Sequence, residues 1–240
     1  MWVAASAVAQ SPSETDELAR SIVEKADHIR LPQEAFQVDV SITTTAPEKD
    51  PEVRKYRILS KGNDNTIVLT LEPLIDRGQI LLMRGRDLWI FMPNLSQPIR
   101  LSVAQRLTGQ VANGDLARAN FAGDYIPTVT GARECGNELC HVLELAAVDR
   151  SVTYHRVVYW VAQKTGRPIR AEFYSLSDQL LKTAVYGNVK KLGGQPRPTE
   201  MLITNALRAD EESLLEYSNL KPRDLPDKMF TKEYLKKLDY

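Results

Sequence analysis

Period-two hydrophobicity governs this chain. Phe36, Val38, Val40 and Ile42 alternate with Gln37, Asp39, Ser41 and Thr43, the pattern of a strand with one buried face. Comparable segments recur at about 53–60, 65–72, 78–84 and 87–92, then at about 126–135, 139–147, 153–162, 168–176, 179–190 and 198–206. Turn chemistry such as Lys61-Gly62-Asn63-Asp64, Glu72-Pro73 and Arg84-Gly85-Arg86-Asp87 separates them. So many strands on short turns strain a flat open sheet. The expected fold is therefore mainly β (α+β): a single half-open, strongly curved antiparallel β-barrel of about eleven strands, with helices covering the open face.

Three strands do not alternate. Gln79-Ile80-Leu81-Leu82-Met83, Asp87-Leu88-Trp89-Ile90-Phe91-Met92 and Val157-Val158-Tyr159-Trp160-Val161 are apolar on both faces and need cover on both sides. Either terminal helices cover one face while a packed core fills the other, or the curved sheet encloses an apolar cavity. Met83, Met92 and Met201 would suit the wall of such a cavity, because methionine adapts to variable ligand shapes. On the cavity reading its lining is Phe36, Val38, Val40, Ile42, Leu82, Trp89, Phe91, Leu143, Tyr159, Phe173 and Met201.

Helical signals stand at both ends. Ser11-Pro12-Ser13-Glu14 supplies an N-cap, a first-turn proline and a capping-box glutamate, and Leu18, Ile22, Ala26 and Ile29 follow at helical spacing. Phe230, Tyr234 and Leu238 lie one turn apart near the C-terminus. Between the two runs of strands, residues 94–125 break the rhythm. The reading there is a short extended piece near 99–101, weak helical character at 102–107 and 114–121, and interruptions at Gly109, Asn113-Gly114 and Gly123. A long excursion that carries Leu101, Leu107, Leu116 and Phe121 reads as a lid over the sheet.

The 31 basic and 31 acidic side chains balance, which removes any general drive toward nucleic acid. Arg54-Lys55-Tyr56-Arg57 reads as an exposed strand face. Cys135 and Cys140 flank a Gly-Asn turn, so they are expected to face each other across a hairpin and to be disulfide-bonded in an oxidising compartment. His28, His141 and His155 form no metal spacing, and no nucleophile elbow or phosphate loop is present. The reading is a binding protein, not an enzyme, with no cofactor and no metal. Residues 1–9 read as the tail of a signal peptide cleaved after Ala7-Val8-Ala9, which places the remainder, 10–240, in the periplasm as one domain.

The order of several short pieces carries a family resemblance. Glu72-Pro73, Arg77-Gly78-Gln79-Ile80-Leu81-Leu82, Asp87-Leu88-Trp89-Ile90-Phe91-Met92-Pro93, Arg100-Leu101-Ser102, Asn113-Gly114-Asp115-Leu116 and Gly123-Asp124-Tyr125 resemble the outer-membrane lipoprotein-sorting family, the LolA-like periplasmic carriers. Val158-Tyr159-Trp160-Val161, Arg167-Pro168-Ile169, Glu172-Phe173-Tyr174 and Leu181-Lys182-Thr183 are similar to its second half, so that the resemblance spans roughly residues 34–205. It implies a LolA/LolB-like fold whose cavity shields the acyl chains of lipoproteins or other lipids. It also implies transient membrane contact, with transfer from an inner-membrane transporter to an outer-membrane acceptor. Two other roles stay open: a lipid-sensing regulatory module, and an accessory subunit of an efflux-type membrane transporter.

Overall fold

The computed structural model describes residues 14–62, 64–118 and 120–235. Residues 1–9, the Ser11-Pro12-Ser13 cap and Leu238 lie outside them. Helix α1 (Glu14–Arg30) leads into six strands: β1 (Phe36–Thr45), β2 (Glu52–Lys61), β3 (Asn65–Glu72), β4 (Ile80–Arg84), β5 (Asp87–Phe91) and β6 (Ile99–Leu101). An insertion follows, made of β7 (Arg106–Thr108), β8 (Val111–Ala112), α2 (Asn113–Ala117) and α3 (Phe121–Asp124). Seven more strands complete the sheet: β9 (Tyr125–Cys135), β10 (Glu138–Ala147), β11 (Arg156–Ala162), β12 (Pro168–Tyr174), β13 (Leu180–Leu192), β14 (Gln195–Asn205) and β15 (Glu212–Pro222). The tail is a 3-10 turn (Asp227–Phe230) and α4 (Lys232–Leu235).

One antiparallel sheet of 13 strands results, in the order β6-β5-β4-β3-β2-β1-β15-β14-β13-β12-β11-β10-β9, while β7 and β8 pair separately. The expected eleven strands are all present; the extended piece expected near 99–101 joins them as β6, and β15 is additional. β15 is the join between two meanders, with Ile42 of β1 opposite Leu215 and Met201 of β14 on its other side. Its pattern is masked because one inward position is polar: Ser213, fully buried, bonds Gln110 N and the Thr44 hydroxyl instead of filling apolar space.

The sheet curls without closing. Some eight strand spacings separate the β4–β5 turn from β11, roughly 40 Å along a flat sheet. Nevertheless Arg86 Nη1 in that turn lies 2.7 Å from Asp149 in the β10–β11 connection. The outermost strands β6 and β9 do not pair with each other, so no closed barrel forms.

Period two sorts the side chains onto two faces. The inner face holds one continuous core drawn from β1–β5 and β10–β15, together with α1 and the insertion. Opposite it, a smaller cluster on β2–β5 is covered by Leu225, Phe230 and Leu235 of the C-terminal segment. This resolves the doubly apolar strands β4 and β5: Leu81, Met83 and Leu88 face inward, and Ile80, Leu82 and Phe91 face the tail. In β11 the outward Val158 and Trp160 are half-buried, and the Arg170 guanidinium lies 5.6 Å from the Trp160 ring centre.

Three local readings need correction. The 102–107 stretch is a turn leading into β7, not a helix, because the backbone around it pairs as a small hairpin. The buried face of α1 is Ala19, Ile22, Val23, Ala26 and Asp27, while Leu18 is exposed. Cys135 and Cys140 do form a disulfide, with Cα atoms 6.1 Å apart, but as diagonal neighbours: Cys135 opposes Glu138, and Cys140 opposes Arg133.

If β15 is the central join, Leu215→Ala should cost about 2–5 kcal/mol, the range for a buried leucine. Leu214→Ala, one residue along on the outward face, should cost less than about half as much. Urea unfolding monitored by circular dichroism decides this, and equal small losses would count against a load carried by β15.

Candidate functional site

The inner chamber is closed by α1 and by residues 102–124 rather than by a second sheet. Val111, Leu116 and Phe121 of the insertion are buried in the inner core, and Phe121 makes edge contacts with Tyr125, Tyr159 and Phe173 at 5.3–6.5 Å between ring centres. Apolar packing is thus supplied from a segment that is not part of the sheet.

Polar anchors fix that segment. Asp115 accepts bonds from Ala112 N at 2.8 Å, the Tyr154 hydroxyl at 2.7 Å and Lys182 Nζ at 2.6 Å. Lys182 also donates to Gln110 O at 2.7 Å, and both members of the Lys182–Asp115 pair are almost fully buried. Gly109 has φ +49°, and a Cβ there would collide with the Thr44 and Ser213 side chains, so the β7–β8 turn sits directly against the β1–β15 pair.

A second anchor lies at the far end of the insertion. Arg118 donates to Asp124 Oδ2 at 2.5 Å, to Asp64 Oδ1 at 2.8 Å and to Gly85 O at 2.8 Å, and Arg86 Nε reaches Asp124 Oδ1 at 2.9 Å. Asp124 therefore lies between two guanidinium groups and ties the β2–β3 and β4–β5 turns to the start of β9. Removing one partner of such a buried pair typically costs about 3–5 kcal/mol.

A third polar group is less well satisfied. Asp27 and Arg30 project inward from the last turns of α1. Asp27 accepts the Ala122 N–H at 2.9 Å, and its carboxyl pKa is pushed up to about 7 by burial, against the opposing pull of Arg30 and the insertion's N–H groups. Arg30 Nη1 is 3.8 Å from Asp27 Oδ1, and the guanidinium sits over the rings of Phe121 at 4.8 Å and Tyr186 at 5.5 Å. Burial raises the hydroxyl pKa of both Tyr159 and Tyr186.

Cavities follow the insertion. One small cavity of about 20 Å³ is lined by Arg30, Phe121, Tyr186, Met201 and Ile203 among others, which is room for about one water. Two clefts flank the β7–β8 hairpin. The first, about 280 Å³, lies between Gln110, Val111, Leu181, Lys182 and Leu207; the second, about 240 Å³, between Tyr56, Leu81, Ile90, Leu101 and Leu107.

Of the residues expected to line a cavity, Phe36, Val38, Val40, Ile42, Leu143, Tyr159, Phe173 and Met201 share the inner core. Leu82, Trp89 and Phe91 do not: strand alternation points them to the outer cluster, where Lys232 Nζ lies 4.0 Å from the Trp89 ring centre. Among the lid residues, Leu116 and Phe121 are buried in the inner core, and Leu101 and Leu107 pack half-buried against it. Sequence reasoning missed Asp27, Arg30, Asp115, Arg118, Asp124, Lys182 and Tyr186. One signal existed: positions 19, 23, 26, 27 and 30 share a helix face, which sets two charges on an otherwise apolar stripe.

A curled open sheet plugged on its inner face by one helix and an insertion is a LolA-type fold, and the chain belongs to the LolA superfamily. It is 56% identical to a LolA superfamily protein from Nitrosomonas europaea, over 90% of this chain and 98% of that one, with a TM-score of 0.86. A DUF1329 family protein from Desulfovibrio piger has the same fold at 20% identity, with coverage of 93% and 100% and a TM-score of 0.79. An outer membrane lipoprotein-sorting protein domain from Vibrio parahaemolyticus does so too, at 20% identity, 92% and 100% coverage and a TM-score of 0.77. A family model described as an uncharacterized protein matches residues 62–237. No curated protein matches the sequence.

The buried carboxyl of Asp27 predicts a pH dependence. Its folded pKa, about 7, stands above the ordinary aspartate value of 3.8, so its contribution to stability is complete below about pH 4 and is lost as pH rises through 7. That loss is on the order of 4 kcal/mol at about 1.4 kcal/mol per unit. Asp27→Asn, which keeps an acceptor for Ala122 N–H, should flatten this decline. Urea titrations at pH 4 to 8 measure it, and an unchanged slope would refute the assignment.

Proposed function

We propose that this protein is a periplasmic carrier that holds acyl chains of lipoproteins or other lipids in the inner chamber of a half-open barrel. In this reading residues 10–240 act as one carrier domain, and cargo passes from an inner-membrane donor toward an outer-membrane acceptor. The observation that carries the reading is the insertion itself. A chamber filled by Val111, Leu116, Phe121 and smaller apolar side chains on a separately anchored segment is one that a ligand can refill when the segment leaves.

Magnitudes favour that exchange. Exposing Val111, Leu116 and Phe121 costs about 1.5–3 kcal/mol each. A sixteen-carbon acyl chain regains roughly 12 kcal/mol at about 0.8 kcal/mol per methylene. The clefts beside β7–β8, about 280 and 240 Å³, fall just below the 300–1,000 Å³ range of ligand pockets, as a closed state requires. The buried polar groups pair mainly with one another, which suits binding rather than catalysis. The Cys135–Cys140 disulfide suits an oxidising compartment.

Protein purified natively should yield acyl lipid on organic extraction and mass spectrometry, and delipidated protein should bind a fluorescent fatty acid. Amides of residues 102–124 should exchange hydrogen faster than those of β1 and β15, and faster still when the probe is bound. Absence of both lipid and probe binding sinks the proposal; uniform strong protection of 102–124 removes the role of the insertion.

A further inference from the structure

Among the described residues, most buried charges of the chamber are matched. Lys182 has Asp115 and the Gln110 carbonyl, and Arg118 has Asp124 and Asp64. Arg30 differs. Its side chain is only 9% exposed, and its Nη1 is a buried donor with no acceptor in hydrogen-bond range. Asp27, 3.8 Å away, is the nearest carboxylate, and its own Oδ1 is also without a hydrogen-bond partner. Burial holds Asp27 partly protonated near neutral pH, so it compensates the guanidinium incompletely, and a guanidinium cannot discharge by losing its proton.

The donors left over converge. The Tyr159 and Tyr186 hydroxyls are buried and have no partner among the described residues, and both, with Tyr217, are close enough to Arg30 to interact electrostatically. Arg30 lies beside the Tyr159 hydroxyl and opposes the upward push of burial on its pKa, but no hydrogen bond of normal geometry forms between them. The Arg30 Nη1 group together with two phenolic O–H groups, all without a hydrogen-bond partner, is a donor set that lacks an oxyanion. The adjoining cavity offers apolar wall from Phe121, Phe173, Met201 and Ile203, and the charged groups that also line it, Asp115, Arg118 and Asp124, are already paired.

We propose that Arg30, Tyr159 and Tyr186 form a seat for the anionic head of a single-chain amphiphile, a carboxylate or phosphate whose acyl chain runs along the apolar inner face. The proposal rests on the chamber being the lipid site. Phe121 covers the seat: its ring stacks on the guanidinium at 4.8 Å, so displacement of the insertion bares the donors and opens the chamber in one movement. Tyr154 borders both the 20 Å³ cavity and the 280 Å³ cleft, and it marks the route by which a chain reaches the mouth near Leu181 and Leu207.

The test compares three probes of equal chain length on delipidated protein by isothermal titration: palmitic acid, palmitoyl lysophosphatidic acid and neutral monopalmitoylglycerol. The wild-type protein should prefer at least one anionic probe over the neutral one by about tenfold or more, as charge-assisted hydrogen bonds give. Whichever anion is preferred identifies the head as carboxylate or phosphate. In Arg30→Gln the ratio of anionic to neutral affinity should fall to about one. Tyr159→Phe and Tyr186→Phe keep the rings, should each lower the ratio by about threefold to tenfold, and carry the test if Arg30→Gln does not fold. Equal affinity of the wild-type protein for all three probes, or a preference that survives all the substitutions, overturns the seat and leaves the carrier reading intact. Failure to bind any of the three overturns both.

Discussion

The pairing of β15 between β1 and β14 is what the rest of the molecule hangs on. Each meander before and after the insertion is built from neighbours in sequence, so local turns suffice to form it. The two halves become one curved surface only through a strand that returns from the far end of the chain. β15 also sets the floor on which the insertion rests, since Ser213 contacts Thr44 and the Gln110 N–H at the same point. A single strand thus fixes both the curvature of the sheet and the seating of the segment that fills it.

Curling has a second requirement, which is met electrostatically. Bending a sheet until its two halves approach brings polar turns together, and here the result is the Arg86, Arg118, Asp64, Asp124 and Asp149 network. The outer edges β6 and β9 stay unpaired. Side-chain ion pairs, unlike a closing ladder of backbone bonds, hold the halves together at a few points and leave an opening between them.

Most of the sheet was legible because period two is a local property: the strands at 36–42, 53–60 and 139–147 announce themselves by alternation alone. β15 was not, because Ser213 replaces an apolar side chain at an inward position and the adjacent Leu214 and Leu215 blur the period. The face of β4 and β5 was likewise open, since strands covered on both sides carry no parity signal. Leu82, Trp89 and Phe91 were assigned to the cavity for that reason, and only the cover by Phe230 and Leu235 separates the faces. The polar residues of the chamber were the least legible, because Arg30, Asp115, Lys182 and Tyr186 meet only through long-range packing.

If the insertion moves as the proposed carrier role requires, the balance between apolar filling and polar anchoring favours two positions over a continuum. Apolar contacts weaken gradually as a segment shifts. The bonds of Asp115 to Lys182 and Tyr154 depend on distance and direction and fail together, since each loses its partner in the same displacement. A segment that must return its buried carboxylate and ammonium to water when it moves resists small excursions. Once it has moved, nothing holds it halfway. Under the proposed carrier role, the polar groups set how firmly the chamber stays shut, while the apolar wall sets how well an acyl chain replaces Val111, Leu116 and Phe121. These two properties are carried by different side chains and can be altered independently.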